Sequence, residues 1–137
     1  RIGFTDALAQ YQIQPDERKM VETQFDMEDG YEAARILMER NVPFDGIFCA
    51  TAELAFGAMS YLRQQNVHVP EQVKVSAVGN NRLATLYDPP LTTVSLSHRT
   101  GGSEAAAMLL ELIQEQEIPR RSEKMICCLH ERKSTLG

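Results

Sequence analysis

The sequence predicts an α/β fold: a doubly wound, mainly parallel sheet. Residues 46–50, Gly-Ile-Phe-Cys-Ala, form an apolar run long enough for a strand buried on both faces. From Ala52 the spacing turns helical, with Ala55, Met59 and Leu62 at helical intervals and Ala58 beside them. Strand-like and helix-like segments then alternate along the chain, as βαβ units require. In open parallel sheets, ligands bind beyond the carboxyl ends of the strands, where helix N-termini point. Ala50, Thr51 and Ala52 therefore mark the edge where a ligand is expected.

The other elements follow in order. Residues 2–12 read as an amphipathic helix with Phe4, Leu8 and Tyr11 on one face, ended by Pro15. Residues 20–25 read as a strand with Val21 as its β-branched member. Asp29 is expected to cap a helix reaching about Arg40, with Tyr31, Ala34, Leu37 and Met38 inward. Asn41-Val-Pro breaks the pattern before the 46–50 strand, and the helix after it runs to about Gln65. Val73, Val75 and Ala77 alternate as a strand that ends at Gly79. A short helical turn is expected near residues 82–86, and Asp88-Pro-Pro breaks the chain again. Residues 91–96, Leu-Thr-Thr-Val-Ser-Leu, are rich in β-branched residues and read as a strand. Gly101 and Gly102 precede a helix whose Ala106, Leu109, Leu110 and Ile113 form an apolar stripe. Residues 125–129 supply a last strand, which makes about five strands and four helices.

Composition narrows the function. The chain has 137 residues, 43% hydrophobic and 24% charged, and suits a globular domain or part of one. Its formal net charge of -5 makes it a poor nucleic-acid binder by itself, because duplex binding neutralises phosphates with Lys and Arg. No run approaches the roughly 20 apolar residues of a membrane helix. No signal-peptide pattern is seen, but the sequence starts Arg-Ile-Gly-Phe without Met, so that absence carries little weight. Cys49, Cys127 and Cys128 all fall in expected strands and read as buried small hydrophobes. Neither they nor His68, His98 and His130 show metal-ligand spacing.

The strand exits carry Phe25, Thr51, Asn80 with Asn81, and residues 95–98 ending in His98. Amides and a hydroxyl exchange hydrogen bonds with ligand hydroxyls, and an aromatic face stacks on C–H groups, so the collection suits a neutral polyhydroxylated ligand. Each residue also has a plainer role. The asparagines can satisfy turns, Phe25 can be core, Thr51 can be only a helix cap, and His98 can be a surface or capping histidine. No nucleophile motif, phosphate loop or paired carboxylate occurs; Glu28, Glu32, Glu39, Glu111 and Glu115 fall on expected solvent faces. No catalytic residue, metal or cofactor is expected.

Asp45-Gly-Ile-Phe-Cys-Ala-Thr-Ala-Glu-Leu-Ala-Phe-Gly-Ala-Met59 resembles a strand–turn–helix segment of the LacI/GalR family of bacterial repressors. The resemblance continues through Gly3-Phe4, Gly30-Tyr31, Val69-Pro70, Val78-Gly79, Asp88-Pro-Pro-Leu-Thr-Thr-Val94, Gly102, Arg132 and Ser134-Thr135, and so covers nearly the whole chain. It implies a periplasmic-binding-protein-like (type I) fold and an incomplete two-lobed effector domain. Residues 1–94 would be the C-terminal lobe, 95–123 would belong to the N-terminal lobe, and 124–137 would return. The DNA-binding headpiece and most of the N-terminal lobe would lie outside the chain. The family's effector contacts fall on Phe25, Thr51, Asn81 and His98. Arg1 stands one residue closer to Gly3 than the family's ligand arginine does. Ala52 departs from the usual Asp.

The resemblance implies a cytoplasmic repressor that senses a sugar or sugar phosphate, regulates a carbohydrate operon and binds operator DNA through its headpiece. The paired asparagines resemble repressors of disaccharide operons. It also implies a homodimer, with Phe56 and Tyr61 on a second face of their helix meeting a partner copy; alternatively, neighbouring helices of the same lobe cover them. A periplasmic sugar-binding protein of the same fold and a small α/β enzyme are the rival readings.

Overall fold

The computed structural model describes residues 2–96, 98–114 and 126–136. Three parallel strands, β1 (Gly46–Cys49), β2 (Lys74–Val78) and β3 (Thr92–Leu96), lie side by side in chain order. β4 (Cys127–His130) pairs antiparallel to β3 and completes the order β1-β2-β3-β4. Helices α1 (Ile2–Gln10), α2 (Met27–Glu39), α3 (Ala52–Gln64), α4 (Leu83–Leu86) and α5 (His98–Gln114) accompany them. The α/β class and the mainly parallel sheet are as the sequence predicts.

Strand register decides what faces the core. Cys49 pairs with Ala77, and Ala77 with Thr93; with Val75, these side chains lie on the sheet face covered by α3. Phe48 points to the opposite face and stacks on Phe4 of α1 at 5.8 Å. Helices therefore touch both faces. α3 is buried almost all round: Phe56 and Leu62 are wholly enclosed, and Leu54, Ala55, Ala58 and Met59 nearly so. α2 lies directly against it. At their crossing, a Cβ on Gly57 would stand 1.9 Å from the Met27 carbonyl oxygen, and one on Gly30 would stand 2.1 Å from that of Leu54. The two backbones touch there because neither residue has a side chain.

The tail fastens the sheet. The buried Ser134 hydroxyl donates to the Val75 carbonyl at 2.6 Å and accepts from the Thr92 N–H at 2.8 Å. Its backbone bonds to Val75 and Pro90 as well. β2, β3 and the loop before β3 are thus joined through one residue.

The structure corrects several expectations. Residues 20–25 form no strand. The carbonyls of Arg18 and Met20 accept from the Arg40 guanidinium instead of a ladder, and none of the four described strands pairs with the segment. α2 is capped by Asp26, not Asp29. Asp26 accepts from the Asp29 N–H at 2.8 Å while the Asp29 carboxylate accepts from the Asp26 N–H, a reciprocal capping box that starts the helix earlier. β1 is only partly buried, with Phe48 48% exposed, because it is an edge of the described sheet. α5 begins at His98, so Gly101 and Gly102 lie inside it, and Leu109, Leu110 and Ile113 of its stripe are exposed.

The cysteines divide. Cys49 is buried, and burial pushes its thiol up to about 12, so it is an inert core residue at neutral pH. Cys127 and Cys128 are exposed, against expectation, because β4 is the opposite edge of the sheet.

Phe56 and Tyr61 are also corrected. Phe56 stacks on Tyr87 at 4.8 Å, and Tyr87 Oη donates to the Phe56 carbonyl. Tyr61 meets Tyr31 edge-on at 5.1 Å. The chain covers both side chains itself, so neither is free to meet a second copy.

Candidate functional site

The start of α3 and the exit of β2 meet at one edge. Thr51 caps α3, its Oγ1 accepting from the Leu54 N–H at 3.3 Å. Gly79 leaves β2 with φ of +101°, and a Cβ there would stand 3.9 Å from the Ala52 nitrogen. The left-handed backbone suits glycine and turns the chain across the helix start. Asn81 then reaches α3 directly: its Nδ2 donates to Glu53 Oε1 at 3.0 Å. Its Oδ1 accepts from the Ala84 N–H at 3.1 Å and so opens α4.

Asn80 turns the other way. Its Oδ1 accepts from Arg132 at 2.6 Å and from Thr93 Oγ1 at 3.3 Å. Arg132 also donates to the Leu91 carbonyl and to Thr93 Oγ1. The guanidinium ties the β2 exit to β3 and the tail. Farther along β3, Ser95 Oγ and His130 Nε2 share a hydrogen bond of 2.8 Å. No carboxylate among the described residues bonds that imidazole, so the pair lacks the third member of a nucleophilic triad.

Phe25 stands immediately before the Asp26 cap and is 65% exposed, so it is not core. α2 and α3 cross at Gly30 and Gly57, within the first two turns of each helix. The geometry thus brings Thr51 and Asn81 together at the start of α3, and leaves Phe25 exposed before the start of α2. His98 begins α5, and its side chain lies outside the described residues, as does Arg1.

Glu53 was not legible as a site residue. The available signal was a carboxylate in the first turn of a helix that begins at a strand exit. Arg132 was legible only through resemblance.

Three other acids pair with arginines away from this edge. Arg18 holds the Asp16 carboxyl below its ordinary value, mainly by hydrogen bonding, and Arg35 does the same for Glu32. Glu32 and Glu39 flank Arg35 on the outer face of α2. No group of His, Cys, Asp and Glu among the described residues could hold a metal ion. No helix of the described residues is long and apolar enough to cross a membrane. A shallow cavity lined by Glu17, Arg18, Arg40 and Val42 lies at the C-terminal end of α2, and Arg40 there is engaged by main-chain carbonyls. What the strand-exit edge can do chemically is hold a small polar molecule through a hydroxyl, an amide and a carboxylate.

Comparison with known proteins bears on this edge. Residues 1–135 match the family described as "Periplasmic binding protein-like domain". The chain is 30% identical over 135 residues to the HTH-type transcriptional regulator RegA of Clostridium saccharobutylicum, covering 98% of this chain and 41% of RegA. It is 32% identical over 133 residues to the HTH-type transcriptional repressor CytR of Escherichia coli K12, covering 97% and 39%. Among solved structures it is similar to a CelR–cellobiose complex (TM-score 0.91, 26% identity, 96% of this chain and 40% of that one). It is also similar to a LacI family regulator from Enterococcus faecium with bound ribose (TM-score 0.85, 29% identity, 97% and 49%). The chain spans about two fifths of the length of the curated relatives it matches.

Proposed function

The chain belongs to the periplasmic-binding-protein-like domain family, as that domain occurs in LacI-family transcriptional regulators, and from this we propose that it is the effector-sensing part of a sugar-responsive repressor. The observation that carries the proposal is the meeting of Thr51 and Asn81 at the edge where α3 begins, with Phe25 exposed before the start of α2. A sugar or sugar phosphate binds there, held by hydroxyl, amide and aromatic groups. Residues 1–94 form one lobe of its cleft. β3 ends in that lobe, and α5 after it belongs to the other lobe, a reading that its exposed apolar stripe supports. Binding favours one arrangement of the lobes over another and so shifts the regulator between DNA-competent and DNA-incompetent states. Operator DNA is held by a headpiece outside this chain. The regulator works in the cytoplasm and performs no catalysis. Relatives named as HTH-type regulators favour this reading over a periplasmic sugar-binding protein of the same fold.

The test is thermal unfolding of the intact protein with a sugar panel. A cognate sugar at hundredfold excess over Kd should stabilise it by about 2.7 kcal/mol. A panel without effect, with purines stabilising instead, would sink the reading.

Assembly follows as a homodimer through α4. Leu83 and Leu86 are 43% and 67% exposed on that helix, beside the Tyr87 that stacks on Phe56. Exposed leucines next to aromatic packing suit a symmetric contact. Sedimentation at micromolar concentration should show a dimer in the wild type and a folded monomer for Leu86→Asp. A dimer that survives the substitution places the contact elsewhere.

A further inference from the structure

We propose that Glu53 makes the strand-exit site selective for unphosphorylated sugars, an inference that rests on reading that edge as a sugar site. Glu53 sits in the first turn of α3, two residues after its Thr51 cap, and is exposed. Its Oε1 accepts from Asn81 Nδ2 at 3.0 Å. Asn81 is held at its other end by the Ala84 N–H at 3.1 Å. The carboxylate is therefore anchored beside the ligand edge rather than free on a solvated helix face. Its second oxygen takes no hydrogen bond from the described residues.

The charges on the helix packed against α3 and the use of the neighbouring donors favour the same class. Asp26 and Asp29 form the capping box of α2, whose first turns cross those of α3 at Gly30. The positive end of α3 is already complemented by Glu53, and Thr51 occupies the Leu54 N–H. The Arg132 guanidinium is spent on Leu91, Thr93 and Asn80. Arg82 follows Asn81 in the chain and forms no ion pair with Glu53 among the described residues.

A sugar brings hydroxyl donors, and a carboxylate accepts from two of them at once. A phosphate monoester brings only acceptors on its ionised group and a charge of about -1.5 to -2 at neutral pH. Against an anchored carboxylate in a half-solvated cleft, that repulsion costs about tenfold in affinity.

The experiment is calorimetric titration of the intact protein with neutral pentoses, hexoses and disaccharides, each beside its own phosphate monoester. The wild type should bind a neutral sugar at least about tenfold more tightly than its phosphate. Glu53→Gln, which keeps an oxygen for Asn81, should bring the two within about threefold, while Glu53→Asp should keep the preference. Matching thermal unfolding of the variants without sugar excludes a folding effect. A phosphate that binds the wild type as tightly as its neutral sugar overturns the inference and leaves the sugar site standing. An unchanged ratio in Glu53→Gln does the same. Failure of both classes to bind overturns the sugar site and the inference with it.

Discussion

Gly57→Ala should cost about 3 kcal/mol or more of folding stability, a large share of what a domain of this size possesses. The added methyl would stand 1.9 Å from the Met27 carbonyl oxygen and 2.6 Å from the Tyr31 nitrogen. Both are backbone atoms of α2, so no side chain can swing aside. Relief requires the helices to part. Parting them uncovers the Tyr31–Tyr61 contact and loosens the half of the core that α2 covers. Helix propensity pulls the other way, since alanine is favoured over glycine by about 1 kcal/mol inside a helix, but the clash outweighs it. Urea denaturation followed by circular dichroism measures the balance. A variant within about 0.5 kcal/mol of wild type would mean that α2 and α3 do not cross this closely.

Ser134→Ala is expected to cost about 2–4 kcal/mol. The hydroxyl is wholly buried and serves two main-chain groups, the Val75 carbonyl and the Thr92 N–H. Alanine fits the space but leaves both without a side-chain partner in a site closed to water. The serine's own main-chain bonds to Val75 and Pro90 persist, so the loss isolates the hydroxyl. The same denaturation experiment reads it, and a loss below about 0.5 kcal/mol would show that water reaches these groups.

The two substitutions also separate what the sequence makes legible from what it does not. β1 and α3 stand out because an apolar run changes into helical spacing at Thr51, a signal confined to neighbouring residues. The alternation in β2 and the β-branched run in β3 are local in the same way. Residues 20–25 have equally good strand composition, yet a strand needs a ladder, and the carbonyls of Arg18 and Met20 bond to Arg40 instead. Asp29 and Asp26 are both good caps by type, and only the reciprocal bonding shows that the helix starts at the earlier one. Phe56 and Tyr61 looked outward because a helix was expected to have one core face. With α2, the sheet and Tyr87 packed around it, α3 has few outward positions. A glycine inside a helix of alanines and leucines asks for a packing reason, and Gly57 has one. At the site, Thr51 and Asn81 were legible as strand-exit residues. Glu53 was not, because its partner lies 28 residues away.

Ser134 has a consequence for how the molecule comes into being. A ribosome delivers the chain from its N-terminal end, and domains generally fold as they emerge. α3, β1 and β2 can gather early, since their contacts join neighbouring segments. The hydroxyl that closes the seam between Val75 and Thr92 is translated 59 residues after the first of these and 42 after the second. Until it leaves the exit tunnel, the seam between Val75 and Thr92 lacks the buried hydroxyl that bridges it. A messenger cut short just before that codon would therefore yield a polypeptide with nearly all of this chain and a fold still held open, a natural target for quality-control proteases.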